Sequence, residues 1–240
     1  MKKILFGLLF LLAACASAPQ NTNPSAEELY NQGYDEMQRT AWAKAAASFE
    51  KLELEHPYSK WAAKAKLMSA YAYYKDEKYD DAVLSLERFI RYHPGNKDIA
   101  YAYYMKGLCY YDQIVGAEKD QDNTAKALEA FNQVIVRFPG SEYARDAKGK
   151  MALIKDHLAG QEMEVGRYYL SQKNYLPALN RFSTVVKNYQ TTPQIEEALY
   201  RQVEVYTILG LKKEAADSLR VLGHNYPKSK WYKMAAKLKG

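Results

Sequence analysis

The sequence predicts an all-α chain: a superhelical solenoid of about five helix pairs closed by a C-terminal capping helix. Three observations predict it. Ala, Leu, Lys, Glu and Tyr recur at three- and four-residue spacing after residue 25, and no stretch alternates with period two long enough to force a sheet. Only 12 Gly and 8 Pro interrupt 240 residues. One pattern also returns five times, as a small residue, a large apolar residue four later and another three after that.

The five copies are Ala45-x3-Phe49-x2-Leu52, Ala82-x3-Leu86-x2-Phe89, Ala127-x3-Phe131-x2-Val134, Ala178-x3-Phe182-x2-Val185 and Ala215-x3-Leu219-x2-Leu222. Pro57, Pro94, Pro139 and Pro227 close four of them, where a ring that cannot continue the helix starts the next turn. Upstream of each copy lies a partner helix with its own close-approach residue: Gly33, Ala70, Gly107 and Gly166, with Val203 in the fifth. Tyr73, Tyr110, Tyr169 and Tyr206 stand three residues beyond these positions. Such units resemble the tetratricopeptide repeat, a helix-turn-helix of 34 residues.

Two spacings depart from the rule. Eight extra residues fall within Asp112 to Thr124 and read as a polar loop between the helices of the third copy. A larger excess between Ala127 and Ala178 reads as one long helix from about Ser141 to Ser171, shared by two blocks. The expected organisation is a signal peptide over 1–14, a lipidated flexible tether over 15–25, repeats 1–3 over 26–140, and repeats 4–5 with the capping helix over 141–240.

Lys2 and Lys3 precede an apolar run from Ile4 to Leu12, too short to span a bilayer. Small residues then lead to Cys15, the pattern of a secretory signal. Leu12-Ala13-Ala14-Cys15 resembles the lipobox of bacterial lipoproteins, which implies cleavage before Cys15 and acylation of its thiol and new amine. Two or more acyl chains anchor stably, at about 0.8 kcal/mol per buried CH2. An ordinary cleaved signal with a chance Cys is the alternative.

Composition excludes several classes. With 48% apolar residues, the body of the chain is not intrinsically disordered. Two Cys build neither a disulfide scaffold nor a four-ligand zinc site. Nucleophile elbow, phosphate loop, dinucleotide fingerprint and His-Glu-x-x-His are all missing from the sequence. The chain is expected to be no enzyme and to need no metal or cofactor. His56 and His93 each precede a repeat-ending Pro, and His224 sits in the turn closing the fifth copy. They read as caps on the last helical carbonyls. Cys109 reads as a buried small hydrophobe.

The net charge of +6 raises nucleic acid or an anionic surface as partners. Its distribution argues against nucleic acid. Two lysines leave with the signal, and Lys228, Lys230, Lys233, Lys237 and Lys239 crowd the last thirteen residues without an acid. The body between is nearly neutral. Trp231, Met234, Ala235 and Leu238 share one face there, as a capping helix requires, and an acidic partner or anionic lipid surface is the sharper reading.

The first helix of each unit lines the concave face of such a solenoid. Tyr30, Tyr34, Tyr71, Tyr74, Tyr104 and Tyr111 fall toward it and define a candidate groove for an unfolded peptide with aromatic residues. The alternative is that these rings fill space between neighbouring repeats.

Ala72-Tyr73-Tyr74-Lys75 and Leu86-Glu87-Arg88-Phe89-Ile90-Arg91 with Pro94 resemble the second repeat of the BamD family of outer-membrane lipoproteins. Tyr103-Tyr104-Met105-Lys106-Gly107-Leu108 resembles the start of its third. Phe138-Pro139-x-Ser141-x-Tyr143-x2-Asp146-Ala147, with Lys155-Asp156-x-Leu158-Ala159, resembles its long connecting helix, and Val165-x-Arg167-Tyr168-Tyr169 and Asn180-Arg181 continue the likeness. The third-repeat insertion is shorter than in familiar members. The resemblance implies a non-catalytic lipoprotein, anchored in the outer membrane and facing the periplasm. Its implied partners are the POTRA region of an Omp85-type barrel protein, bound through the C-terminal half, and other assembly-machine lipoproteins. Unfolded β-barrel proteins would be received at the N-terminal repeats. Asn180 and Arg181 would face the POTRA region, with Arg181 making a charge-assisted contact to a carboxylate. Another lipid-anchored periplasmic repeat adaptor remains the alternative.

Overall fold

Five joints of near-identical backbone geometry organise the chain. The structure is a computed structural model that describes residues 23–116 and 121–238, with the side chains of 115, 116 and 121 set aside. The signal peptide, Cys15 and most of the tether lie outside the described residues.

Among the described residues there are eleven helices and no strand. They are α1 (Ala26–Gln38), α2 (Trp42–Glu55), α3 (Ala62–Lys75), α4 (Tyr79–Tyr92), α5 (Ile99–Gly116), α6 (Gln121–Arg137), α7 (Glu142–Ser171), α8 (Tyr175–Asn188), α9 (Ile195–Ile208), α10 (Lys212–Asn225) and α11 (Lys230–Lys237). Each packs mainly on its neighbours in sequence, and α11 lies over α9 and α10. This is an all-α repeat solenoid. No described helix is long and apolar enough to cross a membrane.

Within a pair, the first helix ends on one left-handed residue: Thr40 (φ 55°), Glu77 (φ 60°), Lys173 (φ 62°) or Gly210 (φ 73°). The next N–H reaches back five residues to close the turn, Ala41 to Glu36, Lys78 to Tyr73, Asn174 to Tyr169 and Leu211 to Tyr206, each at 2.9 Å.

Between pairs, an aromatic residue closes the second helix. His56, His93, Phe138, Tyr189 and Tyr226 each donate a backbone N–H four residues back. The carbonyl of each then accepts from Ser59, Asn96, Ser141, Thr192 or Ser229, three residues on. The imidazole caps that the sequence suggested are not seen: no imidazole hydrogen bond to the last carbonyls of these helices occurs among the described residues, and the backbone N–H of each closing residue bonds the carbonyl four residues back. His56 Nε2 instead donates to Pro24 O at 2.8 Å and pins the segment leading into α1. The His93 ring packs 5.4 Å from Phe89, and His224 lies in the last turn of α10.

The pairs close by volume complementarity. A Cβ built on Gly33, Gly107 or Gly166 would lie 2.8, 2.6 or 2.5 Å from the ring of Phe49, Phe131 or Phe182. Where the small residue is Ala70 or Val203, its partner is Leu86 or Leu219. The three Phe at this position, Phe49, Phe131 and Phe182, are fully buried.

The third-repeat insertion is a correction. Most of Asp112 to Thr124 is helical, as a longer end to α5 and an earlier start to α6. Ile114 packs on the core of Phe131 and Val134, and Gln113 donates to Cys109 O at 2.9 Å, so the helix continues. The long helix appears as α7, 30 residues capped by Ser141, whose hydroxyl accepts from Ala144 N–H. Its first half covers repeat 3 through Ala144, Ala147 and Ile154. Its second half pairs with α8 through Ala159, Met163 and Gly166. In α11, Trp231, Ala235 and Leu238 pack inward as expected, but Met234 is exposed and Tyr232 takes its place against Gly223.

Candidate functional site

The six candidate tyrosines lie on one stripe of α1, α3 and α5, one turn apart in α1 and α3 and two turns apart in α5. Tyr30 is 6% exposed and belongs to the core floor, stacked on Trp61 at 4.5 Å and 5.7 Å from Phe49. Tyr34 is open, at 46%. Tyr71, Tyr74, Tyr104 and Tyr111 are half-buried.

Two of these hydroxyls already bridge neighbouring units. Tyr74 donates to Asp112 Oδ2 at 2.5 Å, from repeat 2 to repeat 3. Tyr104 donates to Asp146, from repeat 3 to α7. Burial, then these carboxylates, raise both phenols above their usual pKa. Tyr71 packs edge-on to Trp42, and Tyr111 lies under Lys150 Nζ at 4.8 Å and beside Phe131. The arrangement is a set of partly open rings, two of them held by bonds between units to Asp112 and to the exposed Asp146.

Sequence reasoning missed three members of this face: Trp42, Tyr101 and Tyr143. Tyr101 and Tyr104 each lie 5.5 Å from Tyr143. Tyr101 precedes Tyr104 by three residues on the same stripe, which was a legible signal. Trp42 and Tyr143 come from other helices, and only packing brings them in.

Asn180 and Arg181 are both exposed on α8. Arg181 is paired within the chain, with Nη1 3.2 and 3.3 Å from the Glu162 carboxylate oxygens. Nearby, Arg167 and Arg201 each donate to Glu197 at 3.3 Å.

A second missed feature lies on the same helix pair as Arg181. In α3, α5 and α9 the residue two beyond the small position is Ala72, Cys109 or Val205, all 0% exposed. In α7 it is Tyr168, 63% exposed, with Leu176 at 64%. The second half of α7 has run past repeat 3, and both side chains are left open among the described residues. At the start of the stack the same position is the polar Asp35, as an end in water requires.

Cys109 is buried, and its thiol is pushed up to about 12 by burial, which fits a packing role. Among the described residues no group of three or more His, Cys, Asp or Glu could hold a metal ion.

This fold defines a class: the tetratricopeptide-type repeat solenoids. A solved tetratricopeptide repeat protein from Bacteroides fragilis superposes with a TM-score of 0.52 over 90% of this chain and 98% of that one, at 16% identity. The sequence is more specific. The profile of the family described as YfiO, outer membrane lipoprotein, matches residues 22–222. The outer membrane protein assembly factor BamD of Rickettsia prowazekii is 44% identical over 99% of this chain and 97% of its own length. That of Caulobacter vibrioides is 40% identical over 95% and 76%, and one from Neisseria meningitidis is 36% identical over 95% and 93%. The chain belongs to this BamD (YfiO) family of outer membrane lipoproteins.

Proposed function

We propose that the chain is a non-catalytic subunit of the outer-membrane protein assembly machinery, held by lipid on Cys15 at the periplasmic face of the outer membrane. Similarity to assembly factors along nearly the whole chain carries this reading. Its N-terminal repeats receive unfolded β-barrel proteins at the tyrosine face, where Tyr34, Tyr71, Tyr74 and Tyr111 offer ring surface to an aromatic-ended segment. Its C-terminal half binds the POTRA region of an Omp85-type barrel protein through the open surface of Tyr168 and Leu176, together with Arg181 on the same helix pair. Other assembly lipoproteins complete the complex.

The test is a pull-down of the full lipoprotein from cells in mild detergent. Recovery of an Omp85-type barrel protein is expected. Recovery of other envelope proteins without it would favour the repeat-adaptor alternative. Cys15→Ser should abolish acyl labelling and membrane retention, and normal labelling of that variant would remove the lipid anchor from the reading.

A further inference from the structure

The start of α1 is held against the first joint between repeats. His56 Nε2 donates to Pro24 O at 2.8 Å, and the turn that His56 opens is closed by Ser59 N–H, which donates to His56 O at 3.0 Å. Tyr58 stands inside this turn and is 100% exposed. The same position in the other four joints is Gly95, Gly140, Thr191 or Lys228. The turn therefore calls only for a small or polar residue, and a fully exposed aromatic ring there packs on nothing in the fold.

The rest of the turn is fixed and basic. Trp61 stacks on Tyr30 of α1 at 4.5 Å, and the exposed Lys60 places Nζ 5.3 Å from that indole. Neither His56–Trp61 nor the entry Cys15–Ala26 holds a carboxylate. The flanking acids are engaged: Glu28 accepts from Ser25 N–H at 2.7 Å, and Glu55 lies 3.9 Å from Lys51 Nζ.

We infer that this turn is a second membrane contact beside the lipid on Cys15: the Tyr58 ring enters the headgroup layer of an anionic phospholipid bilayer, and the Lys60 ammonium meets its phosphates. The inference rests on the proposed acylation of Cys15. Pro24 follows Cys15 by nine residues, a reach of at most about 32 Å. Because His56 fixes Pro24 to the turn, an acylated Cys15 keeps Tyr58 close to the bilayer, and a weak contact suffices at such local concentration. Tyrosine suits the headgroup depth, since its ring is apolar and its hydroxyl stays wet. Lys60 adds an attraction to anionic lipid that salt screens. A second contact also sets orientation, which a single lipid tether does not.

The full lipoprotein is reconstituted in phosphatidylethanolamine vesicles with and without phosphatidylglycerol, carrying an environment-sensitive fluorophore on Pro57→Cys. Gln190 holds the matching position in the fourth joint, so the turn does not need proline. Cys109 is buried with its thiol pushed up to about 12 and stays unlabelled. Pro139→Cys marks the matching turn two joints on. Flotation with the vesicles reports the anchor independently of the label. Flotation is expected, with the label at 57 shifted to the blue and quenched by headgroup-level doxyl lipid, and the label at 139 in water. Tyr58→Ser should withdraw the label at 57 from the quencher. Lys60→Gln should lower the ratio of contacting to free label about fivefold, and only with phosphatidylglycerol present. Protein that fails to float removes the anchor and the proposal with it. Floating protein whose label at 57 stays in water overturns the proposal and leaves the anchor standing. Equal quenching at 57 and 139, or quenching indifferent to both Tyr58→Ser and Lys60→Gln, also overturns it.

Discussion

Gly107 and Phe131 are one unit of packing: the ring fills the place of the missing Cβ, which would stand 2.6 Å from it. Gly33 with Phe49 and Gly166 with Phe182 repeat the relationship, whereas Ala70 and Val203 are matched by Leu86 and Leu219. The size of one residue sets the size tolerated in the other.

Gly107→Ala should destabilise the chain by roughly 1 kcal/mol. Overpacking of this kind costs about 1–3 kcal/mol, and alanine regains about 1 in helix propensity. Adding Phe131→Leu should recover most of the loss by copying the Ala70–Leu86 pair. Urea denaturation of the four-member double-mutant cycle reads this, and strictly additive losses would refute the complementarity.

Thr40→Gly should stabilise by about 0.5–1 kcal/mol. A β-branched residue at φ 55° carries left-handed strain that exceeds glycine's extra freedom when unfolded. Gly210→Ala, at φ 73° with open space around it, should cost about 1 kcal/mol. Thermal melts of both variants check the pair of opposite signs.

Tyr74→Phe should cost about 1–2 kcal/mol near neutral pH, since Asp112 loses a donor from the preceding repeat. The cost should shrink above pH 10. Burial, then Asp112, raises the folded phenol above its ordinary value of 10.0. The unfolded chain therefore releases that proton first, and stability is whole below pH 10 and declines above it. Tyr73, Tyr101 and Tyr104 are shifted the same way and add to the alkaline loss. Equilibrium unfolding of both forms from pH 7 to 11 would show the two curves converging; parallel curves would contradict the assignment.

Arg181→Ala should leave stability within about 0.5 kcal/mol, because an ion pair this exposed contributes little. It should nevertheless weaken binding to an isolated POTRA fragment by tenfold or more. Glu162→Gln frees the guanidinium and should hold or strengthen that binding. Calorimetric titration of the two variants separates a partner contact from an internal pair.

Tyr71→Ala with Tyr74→Ala should reduce photo-crosslinking to barrel-derived peptides with aromatic ends. Helicity, read by circular dichroism, should fall little, because the backbone turns of α3 do not depend on these rings. Crosslinking at the parental level would leave both rings with packing roles alone.

By itself the sequence determined the helices, the five-fold register and the inward faces. Those features live in local spacing, where a small residue and a large one sixteen positions later must meet across a tight turn, as Gly33 and Phe49 do. It also marked the tyrosine stripe, since one helix face is readable from one helix. What it could not determine were contacts between units. That Tyr30 sinks beneath Trp61, that Tyr74 reaches Asp112 and that His56 holds Pro24 all depend on how far each pair rotates against the next. The helical continuation past Asp112 was hidden for the same reason, because Ile114 is paid for by a core built from another helix. Tertiary structure alone decided which apolar residues stay uncovered. Tyr168 occupies a position that α3, α5 and α9 bury, and it stays open because α7 runs on past repeat 3.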